Sequence, residues 1–366
     1  MSDVMRRFWG PLPVLLLVAS IAALRLSVDP AVFFDPGWLL TVTNLVFITL
    51  IDLVVAYVAL RSFVAAGRVQ VLLLGCATLV FGLASAGAAF ARGLPGGANL
   101  TVTIHNTGAL AAAIIFGVSA MLLVMGVSPT VAARRTAIVA VGYFAAVVLV
   151  AIVTVATLTG ATWPFFVQGA GPTPLRQGVL GTADVLFAFS FLIFTGTYVR
   201  TRERFLFWYA LALALICVGL TAIFLQSSVG SPVGWAGRVS QYLGGIYLLV
   251  ALSAARKTAV ERHTSVDSVL TFSLEPAAGR TTSRAPGPSS SPDWLGATAA
   301  HIYLEASADA FYVKDAGGRY LLFNSEAGRA TGKDPSAVIG NDDTFLFPVE
   351  QAARVMAADR AVMEGR

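Results

Sequence analysis

The chain is poor in charge. Asp, Glu, Lys and Arg make up 12% of its 366 residues, about half the share of a soluble globule, which excludes a water-facing surface over most of its length. Histidine occurs three times and cysteine twice. Cys76 and Cys217 both fall inside apolar blocks, where a thiol acts as a small hydrophobe rather than a disulfide or redox partner. No His, Cys and carboxylate spacing suits a metal, and neither a glycine-rich ATP lid nor the GGDEF run of a nucleotide cyclase occurs. No convincing inverted repeat of the transporter kind is visible. The residues present carry no catalytic motif.

What the chain has instead is apolar length. Hydrophobic residues are 57% of the total and mean hydropathy is +0.76, the composition of a multi-span membrane protein. A bilayer core about 30 Å thick needs roughly 20 apolar helical residues. On that length, eight blocks qualify: 10–28, 38–60, 69–91, 100–126, 136–158, 178–199, 205–226 and 233–255. The first stops its clean apolar run at Arg25, and its Arg6-Arg7 start followed by VASIAAL also fits a signal peptide; it is read as a retained helix. The fold class expected is an all-α polytopic membrane bundle of about eight transmembrane helices over residues 1–257.

Loop charges orient the bundle. With eight spans, alternate segments hold Arg6, Arg7, Arg61, Arg68, Arg134, Arg135, Arg200, Arg202, Arg204, Arg256, Lys257 and Arg262, while the opposite loops hold only Arg92 and Arg176. The positive-inside rule then places both termini in the cytoplasm. Trp38, Trp163 and Trp235 fall near the outer boundary and Trp9 and Trp208 near the inner one, as an aromatic belt does. The net charge of +5 sits mostly in these short loops and marks orientation, not nucleic-acid binding. Loop 159–177, rich in Gly and Pro with Trp163, Phe165 and Phe166, reads as an interfacial loop or as a lid over an outward-facing pocket.

Ionisable residues inside spans are costly and usually face a bundle interior. Arg25, His105, Asp184 and Arg238 lie in the outer halves of spans one, four, six and eight. They form a candidate sensing cluster in which Asp184 pairs with Arg25 or Arg238 and His105 titrates near neutral pH. The bland alternative has the arginines snorkelling to headgroups and Asp184 satisfied between helices. Asp52, on span two nearer the cytoplasmic side and preceded by Asn44 and Thr49 on the same helix, belongs to a second polar site with Ser85 or Tyr143 as expected neighbours. Gly82, Ser85, Ala86 and Gly87 allow close helix packing.

After Lys257 the composition changes. Residues 258–292 include RTTSRAPGPSSSPD, expected to be a flexible Ser/Pro/Gly-rich linker without heptads, and a soluble domain is expected over 293–366. There, Asp309 to Asp315 and Arg319 to Asn324 form a hairpin around Asp315-Ala316-Gly317-Gly318. Asn324 then caps a helix through Ala330 that stops near Gly332, and a further helix runs from about Val349 to Glu364. His263 and His301 stand in no phosphoacceptor pattern and read as surface or structural residues.

The Tyr-Val-Lys-Asp hairpin, the Gly332 turn, Val338-Ile339-Gly340, and Asp343 leading into Phe347-Pro348 resemble a PAS domain, in that family's order. Asn341 stands where a lysine or arginine is frequent. The resemblance implies an α+β sensory fold of which the residues after Trp294 are the N-terminal part, the remaining sheet strands lying beyond Arg366. Pro232 to Ser240 and the Asp-Leu-Val-Val-Ala-Tyr stretch after Ile51, together with this architecture, are similar to the membrane-associated sensor (MASE) domains of bacterial histidine kinases and diguanylate cyclases. That similarity implies the input region of an inner-membrane signalling protein, homodimeric and in contact with lipid. Its output is a histidine kinase acting on a response regulator, or alternatively a diguanylate cyclase. A transporter or a simple anchor with a regulatory PAS domain is the rival reading. No cofactor is named by any of these features.

Overall fold

A computed structural model describes residues 9–28, 32, 34–167, 171–226, 230–275, 305, 309–315 and 317–363. Arg6, Arg7, the linker from 276 onward, the opening of the soluble domain at 293–304 with His301, and Ala316 lie outside the described residues. The chain forms two units, Met1–Ser283 and Arg284–Arg366.

The first unit is helical. Among the described residues, seven helices are long and apolar enough to cross a membrane: α2 (Gly37–Ala66), α3 (Val69–Ala91), α4 (Gly97–Val124), α5 (Arg135–Leu158), α6 (Pro174–Thr201), α7 (Arg204–Leu225) and α8 (Pro232–Glu261). The first expected block folds as α1 (Leu12–Ser27), whose 16 residues rise only about 24 Å, short of a hydrocarbon core about 30 Å thick. Prolines at the first turns of α1, α6 and α8 sit where the missing N–H costs nothing, and Thr173 and Ser231 cap the last two by accepting from Arg176 and Gly234. Gly67, at φ +71°, ends α2 in the left-handed conformation.

Six helices close a ring in the order α2, α3, α4, α6, α7, α8, with α8 returning to α2. α5 packs outside on α3 and α4, and α1 outside on α7 and α8. Burial follows from this: 72% and 78% of the apolar stretches of α3 and α7 are buried against 17% of α5, which presents Val141, Phe144 and Ile152 outward. Inside the ring runs a chain of rings. Phe81 meets Phe187 at 6.2 Å, Phe187 meets Phe116 at 5.7 Å, Phe116 meets Tyr209 at 6.3 Å, and Tyr209 stacks on Phe205 at 5.4 Å. Edge-to-face and offset contacts at such distances add to plain burial.

α2 contains a π turn over Leu45–Thr49. Gly245 on α8 lets the Phe47 carbonyl approach so closely that a Cβ there would stand 2.2 Å from it. The arginine-bearing links gather at one end of the bundle. The Val131 N–H donates to Gly67 (2.8 Å) and the Val69 N–H to Pro129 (3.1 Å), joining the α2–α3 and α4–α5 links. Arg92 and Arg176 stand at the other end, which is called the Trp235 end below. Loop 159–177 there folds as a small hairpin, β1 (Phe166–Val167) with β2 (Gly171–Pro172), pinned to α4 where Asn99 Oδ1 accepts from the Phe165 and Phe166 N–H groups, both at 2.9 Å.

The segment after Lys257 differs from the expected linker at its start. α8 continues to Glu261, and α9 (Val266–Ser273), capped by Ser265, packs on α2 and α8 with Val269, Leu270 and Leu274 buried. Its apolar positions share one face of the helix, which is why a stretch of Ser, Thr and Asp composition docks instead of remaining solvated.

The second unit holds an antiparallel hairpin, β3 (Tyr312–Lys314) with β4 (Tyr320–Phe323), in the register Tyr312↔Phe323 and Val313↔Leu322 with an irregularity before Lys314. Asp315 Oδ1 accepts from the Gly317 and Arg319 N–H groups and sets the turn. α10 (Ser325–Thr331) starts at Asn324 and ends at Gly332 (φ +66°); α11 (Pro335–Val338), α12 (Asp343–Leu346) and α13 (Val349–Met363) follow. Tyr320, Phe323, Ala327 and Val338 form its small core.

Candidate functional site

The polar groups that the sequence placed in one outer cluster are divided by the structure. Arg238, on α8, is 7% exposed, and His105, on α4, is 6% exposed. Their charges lie close enough to interact, and Arg238 is also within electrostatic reach of Tyr242 and Arg92. The Arg238 guanidinium sits 5.8 Å from the Trp235 ring centroid. His105 Nε2 is 3.5 Å from Gln241 Nε2, its ring lies 5.7 Å from Phe81, and its Nδ1 is buried with no hydrogen-bond partner. Asn106 Nδ2, one residue on, is likewise buried and unpartnered. His105 thus stands at the head of the aromatic chain that runs down the ring.

A strap closes this end. The Trp235 indole N–H donates to the Phe34 carbonyl (2.5 Å), the Phe34 N–H donates to the Gly230 carbonyl (2.9 Å), and Asp35 pairs with Arg92. Arg92 is therefore neutralised, whereas Arg238 has no carboxylate in ion-pair range among the described residues.

Asp184 and Arg25 are not part of the group. The Asp184 carboxylate accepts from Thr221 Oγ1 at 2.6 Å and Cys217 Sγ at 3.1 Å across the α6–α7 contact, so it has neither arginine as a partner. Arg25 is exposed on α1 without an ion pair among the described residues.

Asp52 is 2% exposed and faces Gly82, where a Cβ would lie 2.8 Å from its own; its Oδ2 has no partner. Of its expected neighbours, Tyr143 donates to the Ala56 carbonyl at 2.6 Å, and the Ser85 hydroxyl is buried and unpartnered. One turn before, the π turn separates Asp52 from Asn44, whose Oδ1 accepts from the Tyr242 hydroxyl at 2.9 Å; Thr43 Oγ1 meets the same hydroxyl at 2.7 Å. α2 thereby meets α8 at Tyr242, while Thr41 Oγ1 donates to the Ala89 carbonyl (3.1 Å) and Thr49 Oγ1 to the Gly82 carbonyl (2.9 Å), holding it to α3.

At the opposite end polar pairs fasten α9 and its flank to α2 and α3, and the end of α8 to the start of α7. Ser62 Oγ donates to Asp267 (2.5 Å), Arg68 pairs with Glu275 (3.2 Å), Arg262 with Glu203 (3.0 Å) and Arg204 with Glu261 (2.7 Å). A cavity of about 470 Å³ opens beside it, walled by Arg68, Arg262, Asp267 and Glu275 among others. These pairs are not legible from the sequence, because docking of a short helix after a last span leaves no periodic signature beyond two turns.

Arg176 was also misread as a loop charge. It is 1% exposed and donates from Nη2 to the Ile223 carbonyl at 2.6 Å, tying the start of α6 to the end of α7. Its place two residues after Pro174, already inside a helix, was the available signal.

In the second unit the Lys314 ammonium donates to both Asp343 oxygens at 2.7 Å and to Asp359 at 2.6 Å, and the Tyr320 hydroxyl donates to Asp343 Oδ1 at 2.7 Å. Burial pulls the ammonium down, but its hydrogen bonds to Asp343 and Asp359 outweigh this and hold it above the ordinary lysine value. Burial first, and then the bond to Asp343, push the Tyr320 phenol up. Beside this network Tyr312, Phe323, Ala327, Leu346, Phe347 and Val355 line an apolar cavity of about 190 Å³.

Residues 304–366 match the family described as PAS fold. No curated protein and no solved structure matches the chain. The hairpin, the Gly332 helix stop and the short α11 and α12 turns lie within the matched segment, which gives this part of the chain a sensory character.

Proposed function

We propose that this chain is the sensory input region of a bacterial inner-membrane signal-transduction protein, with α1 as a short eighth span that the bilayer accommodates by local thinning, and with both termini in the cytoplasm. The observation that carries the reading is the PAS-fold segment on the same chain as seven helices long enough to cross a membrane. The orientation is supported by the arginines gathered at the α9 end, and the MASE-like character by the architecture alone. A stimulus acts at the Trp235 end on the Arg238 and His105 group. α8, 30 residues long, spans about 45 Å and carries the change to α9 and onward to the PAS unit of a homodimer. The output is a histidine kinase core following Arg366, which phosphorylates a response regulator.

The test is to read the frame that follows the Arg366 codon, express its whole product and supply radiolabelled ATP. Acid-labile phosphate on a histidine is the expected result. Cyclic dinucleotide made from GTP would move the output to a diguanylate cyclase. Solute flux in proteoliposomes that is lost in Asp52→Asn, with neither enzyme activity, would overturn the signalling reading in favour of a transporter.

A further inference from the structure

Arg238 is a buried cation in an apolar bundle and makes no ion pair among the described residues, and such a charge is costly unless something compensates it. The described carboxylates of the spans and strap are engaged elsewhere. Asp35 is taken by Arg92, Asp184 is turned toward Thr221 and Cys217, and Asp52 faces Gly82. Beside Arg238 the protein offers donors instead. The Gln241 amide is one turn along α8 from Arg238 and meets His105 of α4; His105 lies within electrostatic reach of Arg238, and its Nδ1 is buried and unpartnered among the described residues. Aromatic walls stand on two sides, Trp235 within 5.8 Å of Arg238 and Phe81 within 5.7 Å of His105. The Phe34–Asp35 strap is held to Trp235 of α8, the same residue that faces Arg238, and to Arg92 at the end of α3.

We propose that Arg238, His105 and Gln241 form a binding site for an oxyanion, a carboxylate or phosphate group, with the planar guanidinium taking two of its oxygens. The same chemistry is carried by a free small anion and by an anionic lipid headgroup. Binding supplies the missing negative charge. It also links α8 to α4 across the ring at the head of the aromatic chain, so an occupied site holds the two helices together more firmly than the 3.5 Å His105–Gln241 contact does alone. The proposal deepens the sensory reading and rests on it for its consequence; binding itself is measured without any output enzyme, so the two fail separately.

The experiment is thermal unfolding of the purified full chain, first in neutral detergent with sodium acetate or inorganic phosphate against sodium chloride at equal ionic strength. It is then repeated in phosphatidylcholine nanodiscs with and without phosphatidylglycerol. The midpoint is expected to rise with at least one of these anions. A rise with the free anions assigns the site to a soluble ligand, and a rise with phosphatidylglycerol alone assigns it to the membrane. Arg238→Lys keeps the charge but loses the two-pronged geometry, and shifts half-saturation to about tenfold higher anion; Arg238→Gln abolishes the response. A wild-type chain indifferent to every anion, or an Arg238→Gln chain that responds like wild type, would overturn the site. Should Arg238→Gln not fold, the lysine variant and the wild-type titration decide alone.

Discussion

The Ser62 hydroxyl donates a 2.5 Å hydrogen bond to the Asp267 carboxylate, across 205 residues of sequence, and so fastens α9 to α2. A hydrogen bond to a charged group contributes about 1.5–3 kcal/mol. Asp267→Leu is therefore expected to raise amide exchange in 266–275 by about tenfold or more while α8 keeps its protection, as read by hydrogen-exchange mass spectrometry. Ser62→Cys with Asp267→Cys should crosslink under mild oxidation; failure to do so in the resting protein would show that α9 is not docked there.

Gly245 is the place where α8 touches the backbone of α2. A methyl group there would stand 2.2 Å from the Phe47 carbonyl oxygen, and backbone cannot step aside as a side chain can. Gly245→Ala is expected to cost about 1–3 kcal/mol, seen as a lower thermal midpoint. Gly196, whose added Cβ meets nothing within 4 Å, is the control, and Gly196→Ala should stay within about 0.5 kcal/mol of wild type.

In the PAS unit, Lys314→Met leaves Asp343, which is 0% exposed, without its cation. Removing one partner of a buried pair costs about 3–5 kcal/mol. Exchange of the β4 amides should rise steeply in Lys314→Met and less in Asp359→Asn, because Asp359 is the more exposed partner.

The same network fixes a pH dependence. The Lys314 ammonium is held above its ordinary value, so its stabilisation is complete below pH about 10.4 and is lost as pH rises through the higher folded value. Asp334 and Asp342 are held below the usual carboxylate range by hydrogen bonds, to Ser336 and Thr344 respectively. Their contribution is present above pH about 3.9 and is lost as pH falls through the lower folded values. Urea unfolding at a series of pH values should show wild type losing stability above pH about 10.4, whereas the curve of Lys314→Met lies lower throughout and lacks this lysine's share of the alkaline loss.

Asn324 joins three backbone segments: its Oδ1 accepts from Phe311 and Ala327 and its Nδ2 donates to Asp309. Asn324→Ala should cost about 1–2 kcal/mol and loosen β3 and α10 together, whereas Asn324→Asp keeps the acceptor and should retain part of the loss. Exchange in both elements distinguishes the two.

Much of this architecture was readable in advance, because span length and hydropathy depend on composition alone, and the hairpin and helix caps depend on Asp315, Asn324 and Gly332 acting locally. Which polar groups meet inside the ring was not. Whether Asp184 finds Arg238 or Thr221 depends on how α6 and α7 are rotated about their axes, a quantity that a helical residue's own neighbours do not encode. The separation of Asp52 from Asn44 escaped for the same reason, since a π turn inserts a residue without leaving a Gly or Pro to mark it. The ordered start of the expected linker was hidden by its Ser and Asp content, although Val266, Val269 and Leu270 carry the burial.

That π turn makes α2 a screw with a slipped thread. Thr41 and Thr49 hold it to α3 from before the turn to its end, while Asn44 meets Tyr242 of α8 before the turn and Asp52 meets Gly82 of α3 after it. Each residue of an ordinary helix advances the phase by about 100°, so ironing the turn into regular helix would rotate the Asn44 contact against the Asp52 contact. The phase of α2 is therefore set at two places at once, and neither can be adjusted alone.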